Sequence, residues 1–151
     1  MNARMDVAKA APAAYKAMLG LHQAVEKSGL EHPLLELIKT RASQINGCAF
    51  CLAMHTADAR KGGESEVRLY LLDAWRESPV YSERERAALA WTEALTLITE
   101  GHVPDEVYEE ARRHFSDAEL ANLTMAIVTI NGWNRIAISS RMVPEVAQHS
   151  K

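Results

Sequence analysis

Cys48, Cys51 and His55 are the residues of this chain whose types and spacing most directly suggest chemistry. They lie in the stretch NGCAFCLAMH, residues 46–55, and the two cysteines are the only ones among the 151 residues. At about 100° per residue, the three side chains fall within roughly 60° of one helix face. Because the Cα atoms of residues i and i+3 in a helix lie within the disulfide range of about 4.4–6.8 Å, the cysteine pair can be oxidised with little backbone movement.

The local sequence also indicates how these thiols are activated. Asn46 and Gly47 predict that a new helix begins at the pair. The positive end of the helix dipole and its unpaired N–H groups favour thiolate over thiol, most strongly at Cys48. His55 follows Cys51 by one turn and can accept its proton or stabilise its thiolate. A reactive thiolate with a second thiol one turn away is the arrangement that a redox cysteine requires.

Other interpretations of the pair have different requirements. Two buried thiols in a helical core need no function, because cysteine is among the most buried residue types. A zinc site at Cys48, Cys51 and His55 needs a fourth ligand from elsewhere, and one helix face fits tetrahedral geometry poorly. A c-type haem requires histidine directly after the second cysteine, where Leu52 stands, and no βαβ pattern indicates a thioredoxin fold. The sequence therefore favours redox chemistry without a metal or other cofactor.

Composition and charge argue against several other classes of protein. With a net charge of −3 and a pI near 6.1, the chain lacks the basic stripe that nucleic-acid binding requires. Its longest strongly apolar run, residues 125–130, is far shorter than the roughly 20 residues that span a bilayer. The N-terminus lacks the apolar core and cleavage site of a secretory signal, so we predict a cytoplasmic protein. In a reducing compartment, a cysteine pair is more often catalytic or metal-binding than structural.

The elements that must hold the motif are predicted to be helices throughout, because apolar residues recur at helical spacing and no stretch alternates as a strand does. We predict one all-α domain, residues 1–151, built as a helical bundle of about six to seven helices. The predicted helices cover residues 12–28, 33–46, the cysteine segment up to residue 62, 65–75, 82–101, a short one from residue 104, and 116–143. Ser82 with Glu85 and Ser116 with Glu119 have the pattern of capping boxes. The last helix is apolar over a wide arc, which predicts a central position.

The residues around the motif resemble a known family. The stretch LLELIKTRASQINGCAFCLAMHTADARKGG, residues 34–63, and more loosely residues 33–96, is similar to the alkyl hydroperoxidase D-like (AhpD-like) proteins of the carboxymuconolactone decarboxylase superfamily. The motif of that family is a glutamate twelve residues before C-x-x-C, followed by x-x-x-H. Glu36, Cys48, Cys51 and His55 match it at every position. The N- and C-terminal thirds of the chain resemble the family only in their helical character.

This resemblance implies a fold, an activity and partners. The subunit is expected to be all-helical and to form homo-oligomers, trimers or hexamers. The implied activity is reduction of a small-molecule peroxide by the cysteine pair, with the disulfide re-reduced by a dithiol such as that of a lipoylated protein. By the same resemblance, Cys51 attacks the peroxide and becomes a sulfenic acid, Cys48 resolves it to the disulfide, and His55 and Glu36 relay protons. The one-turn spacing of Cys51 and His55 also favours Cys51 as the attacking thiol.

Two other functions remain open at this point. The superfamily name suggests a decarboxylase acting on a carboxylated lactone, which would need a general acid and anion-binding side chains and has no use for a vicinal thiol pair. A non-catalytic redox sensor or structural oligomer would use the pair without turnover. Rapid peroxide turnover with a dithiol distinguishes an enzyme from a sensor.

The remaining polar residues give weaker indications. Glu36 lies opposite the apolar stripe of its helix (Leu34, Ile38, Ala42 and Ile45), so the residues alone predict a solvated carboxylate, and its role rests on the motif. The other histidines show no ligand spacing and are expected to be surface or capping residues: His22, His32, His102, His114 and His149. Trp91 and Trp133 are expected in the core or at a subunit interface. Asn131, Asn134 and Arg135 are either buried and hydrogen-bonded or line a pocket.

Overall fold

Side-chain caps begin five helices in the computed structural model, which describes residues 2–144. Within these residues the chain forms eight α-helices and no strand. The helices are α1 Val7–Ala10, α2 Pro12–Glu26, α3 His32–Asn46, α4 Ala49–Lys61, α5 Glu66–Tyr70, α6 Glu83–Thr96, α7 Asp105–His114 and α8 Asp117–Ser140, and a short 3-10 turn at Leu72–Ala74 follows α5. In the described part of the chain, none of them combines the length and apolarity that crossing a membrane would require.

The predicted all-α fold is confirmed, and α6 and α8 begin at the capping residues that the sequence indicates. Both predicted capping boxes are present, at the starts of α6 and α8. Gly47 ends α3 in the left-handed conformation, with φ of 69°, which glycine adopts without strain. The last helix ends at Ser140 rather than at residue 143, and three differences are larger. The segment 65–75 divides into α5 and the 3-10 turn, α6 ends at Thr96 rather than at Gly101, and α1 is an additional short helix.

The most enclosed element is α3, which packs against α4, α6 and α8. Nine of its 15 residues are buried, compared with nine of 24 in α8. The prediction of a central α8 holds for its contacts, since α8 packs against α2, α3, α4, α6 and α7. Its wide apolar arc is only partly buried, however, because Met125, Val128 and Ile138 stay exposed. The helix that carries Glu36 is therefore the one that solvent reaches least.

An amide network fixes the turn between α3 and α4. Asn46 donates through Nδ2 to Asn131 Oδ1 at 2.9 Å and to Asn134 Oδ1 at 2.8 Å. Asn134 in turn donates through Nδ2 to Ser43 Oγ at 3.0 Å and is completely buried. Because Asn46 is the last residue of α3, this network anchors the end of α3 on α8, two residues before Cys48. Burial and hydrogen bonding are thus the outcome for Asn134.

The neighbouring polar residues of α8 have a different environment. Asn131 donates through Nδ2 to Thr96 Oγ1 at 3.1 Å. Arg135 is exposed and donates through Nη1 to the Asn131 carbonyl at 3.0 Å. Both residues also line a shallow cavity between the end of α6 and α8. Asn131 thus takes part both in the network at Asn46 and in the contact of α8 with the end of α6.

We expect Asn134→Ala to lower the free energy of unfolding by about 1–3 kcal/mol, because Asn46 and Ser43 would each lose a buried partner. Chemical denaturation followed by circular dichroism measures this change. The matched control is Asn122→Ala, half-buried on the same helix and outside the network, which should change the free energy by no more than about 0.5 kcal/mol. Equal effects of the two substitutions would contradict a structural role of the network.

Candidate active site

The two cysteines occupy the first turn of α4, as predicted. Cys48 is the N-cap residue, and its Sγ accepts the backbone N–H of Cys51 at 3.3 Å. The two residues are joined by a disulfide with their Cα atoms 5.3 Å apart, within the expected range. Each is only 1% exposed. Both sulfurs therefore lie at the positive end of a helix and out of contact with bulk water.

The surroundings of the two cysteines differ in one respect. Both belong to a buried apolar cluster with Ala42, Ile130 and Ala137. Cys51 also lines a cavity of about 380 Å³, whereas Cys48 is not among the residues that line it. A molecule in this cavity can thus contact Cys51 and not Cys48.

Glu36 and His55 meet across the contact between α3 and α4. His55 Nδ1 lies 2.9 Å from Glu36 Oε2, and both side chains are about 95% buried. The interpretation of Glu36 as a solvated carboxylate is wrong, because the residue is 3% exposed. The apolar stripe of α3 does not mark a boundary with solvent, since α4 covers the opposite, polar face. All four residues of the motif therefore lie within one region of the structure.

Lys39 holds the other oxygen of the carboxylate. Its Nζ donates to Glu36 Oε1 at 3.3 Å and also pairs closely with Glu26 of α2. Burial raises the pKa of Glu36, but the hydrogen bond with His55 and the charge of Lys39 together lower it to below its ordinary value. Glu36 is therefore ionised at neutral pH and can only accept hydrogen bonds. Consequently His55 Nδ1 carries the hydrogen of this contact, and in the neutral form of the imidazole Nε2 is the proton acceptor.

The cavity has an apolar side and an ionisable side. Tyr15 of α2 and Trp133 of α8 pack edge to face, with ring centroids 5.3 Å apart. Phe50 and Met54 continue the apolar wall beside Cys51. The ionisable side groups come from three helices: His22 and Glu26 from α2, His32, Glu36 and Lys39 from α3, and His55 and Asp58 from α4. One wall of the cavity is thus made by α2, which the motif does not include.

Two histidines were not expected at this site. His22 is half-buried on the cavity, where burial and then the charge of Lys39 lower its pKa. His32 is exposed, as predicted, but its Nε2 lies 3.7 Å from Glu36 Oε1 at the edge of the same cavity. His22 reaches the site through the packing of α2, so no spacing in the sequence indicates its position. His32 stands four residues before Glu36 on α3, and this one-turn spacing is the signal that could have indicated its contact. His102 is exposed and His114 contacts Glu110, while His149 lies outside the described residues.

Trp91 and Trp133 have different surroundings. Trp91 belongs to the main core cluster, as expected, and donates through Nε1 to Thr124 Oγ1 at 3.0 Å. Trp133 is half-buried and forms part of the cavity wall. The cavity residue Trp133 therefore contributes apolar surface close to Cys51.

One cluster of possible metal ligands coincides with the candidate site. Among residues 2–144, donor atoms of Glu36, His55 and Asp58 lie within 4.8 Å of one another. The ammonium of Lys39, 3.3 Å from Glu36, opposes a second cation there. Three ligands would also leave a structural zinc one short. The absence of a required metal stays a prediction.

Comparisons with known proteins give the following. A model of the carboxymuconolactone decarboxylase family matches residues 12–94. The uncharacterized protein YdfG of Bacillus subtilis strain 168 is 45% identical over 139 residues, which are 92% of this chain and 95% of YdfG. ATU0492 of Agrobacterium tumefaciens, a protein of unknown function provisionally assigned as the antioxidant defence protein AhpD, is 50% identical with a TM-score of 0.93, over 96% of this chain and 99% of its own. A peroxidase-related protein of Silicibacter sp. TM1040 has a TM-score of 0.77 at 24% identity, over 90% of this chain and 72% of its own, and is similar in fold alone.

Because folding lowers the pKa of Glu36, its ionised form stabilises the folded state above the ordinary value of 4.5, and this contribution is lost as the pH falls through the lower folded pKa. We expect the difference in unfolding free energy between the unaltered protein and Glu36→Gln to be largest above about pH 6 and to shrink toward about pH 3. Urea denaturation over this pH range measures it. The control Glu100→Gln changes an exposed residue and should leave the pH dependence unaltered. A pH-independent difference for Glu36→Gln would contradict an ionised, buried carboxylate.

Proposed function

The chain belongs to the carboxymuconolactone decarboxylase family, and we propose that it is a thiol-dependent peroxide reductase in which Cys51 is the attacking residue. The observation that supports this most is that Cys51, His55 and Glu36 line one cavity, in which a peroxide can contact the sulfur. Cys48 stands one turn away, within bonding distance of Cys51. The reaction needs no cofactor beyond an external dithiol.

The first step begins from the reduced pair. His55 Nε2 accepts the proton of the Cys51 thiol, and ionised Glu36 stabilises the resulting imidazolium through Nδ1–H. The thiolate then attacks the O–O bond of the peroxide, so that an S–O bond forms and the O–O bond breaks. The leaving alkoxide takes the proton from His55 and departs as an alcohol. Cys51 is left as a sulfenic acid, oxidised by two electrons.

In the second step Cys48 resolves the sulfenic acid. Its thiolate attacks Cys51 Sγ, the S–S bond forms, and the hydroxide leaves as water after it takes a proton. The N-cap position of Cys48, where its sulfur accepts the Cys51 N–H, favours the thiolate form of this residue. An external dithiol, such as that of a lipoylated protein, then transfers two electrons and restores both thiols. A reducing, cytoplasmic location would keep such a dithiol available.

The helix dipole and the cavity favour different cysteines as the nucleophile. The dipole acts most strongly on Cys48, which lies at the very end of the helix. Cys51 lines the cavity together with His55, whereas Cys48 is not among the residues that line it. A peroxide must contact the sulfur that attacks it, so access outweighs the difference in acidity, and we assign the attack to Cys51.

The charges of the cavity do not favour the decarboxylase alternative. A carboxylated lactone would need cationic side chains to bind it, and no arginine lines the cavity in the described residues. Its lysine, Lys39, is already paired with Glu26 and Glu36. Asp58 adds a further carboxylate at the same side. The redox sensor remains the alternative, because it would use the same disulfide without turnover.

Oligomerisation, in trimers or hexamers, is part of the proposal. Leu97 and Ile98 beyond α6 and Val128 on α8 are exposed, and Ile98 and Val128 border the same shallow cavity. Exposed apolar patches of this kind are typical of subunit interfaces.

We therefore expect light scattering at micromolar concentration to give the mass of a trimer or hexamer of the 16.8 kDa chain. Val128→Glu should shift the protein to smaller species, because a charge would be desolvated at the interface. The control, Val67→Glu, changes an exposed valine on α5 and should leave the mass unaltered. A monomeric mass for the unaltered protein counts against this part of the proposal.

The roles of the two cysteines predict different defects. Cys51→Ser should abolish peroxide consumption, because serine is a far weaker nucleophile than a thiolate. Cys48→Ser should still form a sulfenic acid at Cys51, trapped by a dimedone-type reagent and located by mass spectrometry, while multiple turnover with a dithiol stops. His55→Ala should slow the attack by about 10²-fold or more, as expected for loss of a general base.

Two outcomes would overturn parts of this assignment. A sulfenic acid trapped at Cys48 in Cys51→Ser, with none at Cys51 in Cys48→Ser, would mean that the helix dipole selects the nucleophile. A disulfide that forms with peroxide but does not turn over with any dithiol would identify a sensor rather than an enzyme.

A further inference from the structure

Lys39 is a buried lysine that lies outside the motif and yet contacts it. Its side chain is 5% exposed, and its Nζ lies between carboxylate oxygens of Glu36 and Glu26. A buried ammonium is costly unless it is paired, and such residues are rare in protein interiors. Packing alone would be served as well by methionine or leucine. The position therefore requires an explanation in terms of charge.

We propose that Lys39 is a positioning residue for the thiol chemistry, which holds Glu36 ionised and directs its Oε2 to His55. The two oxygens of Glu36 have separate partners: Oε1 accepts from Lys39 at 3.3 Å and Oε2 accepts from His55 at 2.9 Å. With Oε1 occupied, the carboxylate cannot rotate away from the imidazole without losing its cation. Lys39 thus acts on Cys51 through Glu36 and His55 and touches no substrate.

The charges around Lys39 also support its role in keeping Glu36 ionised. Glu26, Glu36 and Lys39 leave one negative charge in excess, which a proton on His55 neutralises. That protonated histidine is the partner that a Cys51 thiolate requires. Without Lys39 two carboxylates would face each other without a cation, and Glu36 would take up a proton at higher pH. A neutral Glu36 no longer stabilises an imidazolium, so the Cys51 thiolate would form less readily.

Other ionisable groups from α2, α3 and α4 also face Lys39, Glu36 and His55. α2 contributes His22 and Glu26, and α4 contributes Asp58 beside His55. His32 lies at the start of α3, 3.7 Å from Glu36 Oε1. Of all these groups, only Lys39 is a cation by its ordinary chemistry at neutral pH. Replacement of Lys39 by a neutral residue therefore leaves these groups without this cation, and replacement of Glu26 changes their charge by the same amount in the opposite direction.

The test measures the reactivity of Cys51 without peroxide. In reduced Cys48→Ser protein the only thiol is Cys51, and the pH dependence of its alkylation by iodoacetamide gives the midpoint of thiolate formation. Lys39→Met should raise this midpoint by about one unit, which slows alkylation near pH 7 by about tenfold. Lys39→Arg keeps the charge and should restore a midpoint close to that of the parent. Glu26→Gln should lower it, and Lys9→Met, an exposed control, should leave it unchanged.

A double-mutant cycle distinguishes action through Glu36 from a direct effect of charge. In a Glu36→Gln background, Lys39→Met should add little to the midpoint. A full shift in that background would overturn the positioning role, as would an unchanged midpoint in Lys39→Met alone. If Lys39→Met does not fold, as judged by circular dichroism, the midpoint of thiolate formation in Glu26→Gln tests the proposal instead. A lowered midpoint supports the proposal, and a raised or unchanged one overturns it.

This inference deepens the proposed function but does not share its test. Alkylation reports on the thiolate whether or not the protein reduces peroxides. A shifted midpoint with no peroxide consumption would leave the role of Lys39 intact and refute the peroxidase. Peroxide consumption together with the same midpoint of thiolate formation in every Lys39 variant would support the peroxidase and refute the role of Lys39.

Discussion

The hydrogen bond between Glu36 of α3 and His55 of α4 constrains the rest of the structure, because it places an ionised carboxylate in the protein interior. An unpaired carboxylate there would cost several kcal/mol, so the neighbouring helices must supply partners. Lys39 meets this need from the same helix, and Glu26 of α2 balances the lysine in turn. Each helix beside the site therefore carries a charge that only its neighbours make tolerable. The amide network at Asn46 keeps α4 in the register that the contact needs.

The same arrangement separates two properties that a single cysteine rarely combines. Cys48, at the N-cap, has the strongest interaction with backbone N–H groups, but it has no contact with the cavity. Cys51 lines the cavity together with His55, and under the proposed function its thiolate would be supported by His55 and Glu36 as well as by the helix end. Under the proposed function, Cys51 would contact the peroxide and Cys48 would attack the Cys51 sulfur beside it. The spacing of three residues lets both properties act on one bond.

The features that could be predicted from the sequence depend on contacts within one helix, and most of those that could not depend on contacts between helices. The capping boxes at Ser82 and Ser116 and the cysteine turn depend on residues within one helix, and each was predictable. The burial of Glu36 was not, because a helix that is covered on several sides has no solvent face against which an apolar stripe can be recognised. Lys39 lies one turn after Glu36 on the same helix, but this pairing indicated nothing while Glu36 was expected in solvent. His22 and Glu26 reach the site through the packing of α2. A single sequence contains no spacing that relates residues on separate helices.

Burial also bears on the reductant under the proposed function. Cys48 and Cys51 are each 1% exposed, and in the part of the chain that the structure describes the cavity lined by Cys51 offers a route to the disulfide. A folded protein that carries its thiols on its own surface cannot enter a space of about 380 Å³. A dithiol on a long, thin arm can, and the apolar wall of Phe50 and Trp133 suits a hydrocarbon chain better than a charged thiol such as glutathione. The carboxylates on the ionisable side act in the same direction, because they repel an anionic reductant. If the proposed function holds, we therefore expect a carrier-bound, uncharged dithiol to reduce the disulfide faster than a free anionic one.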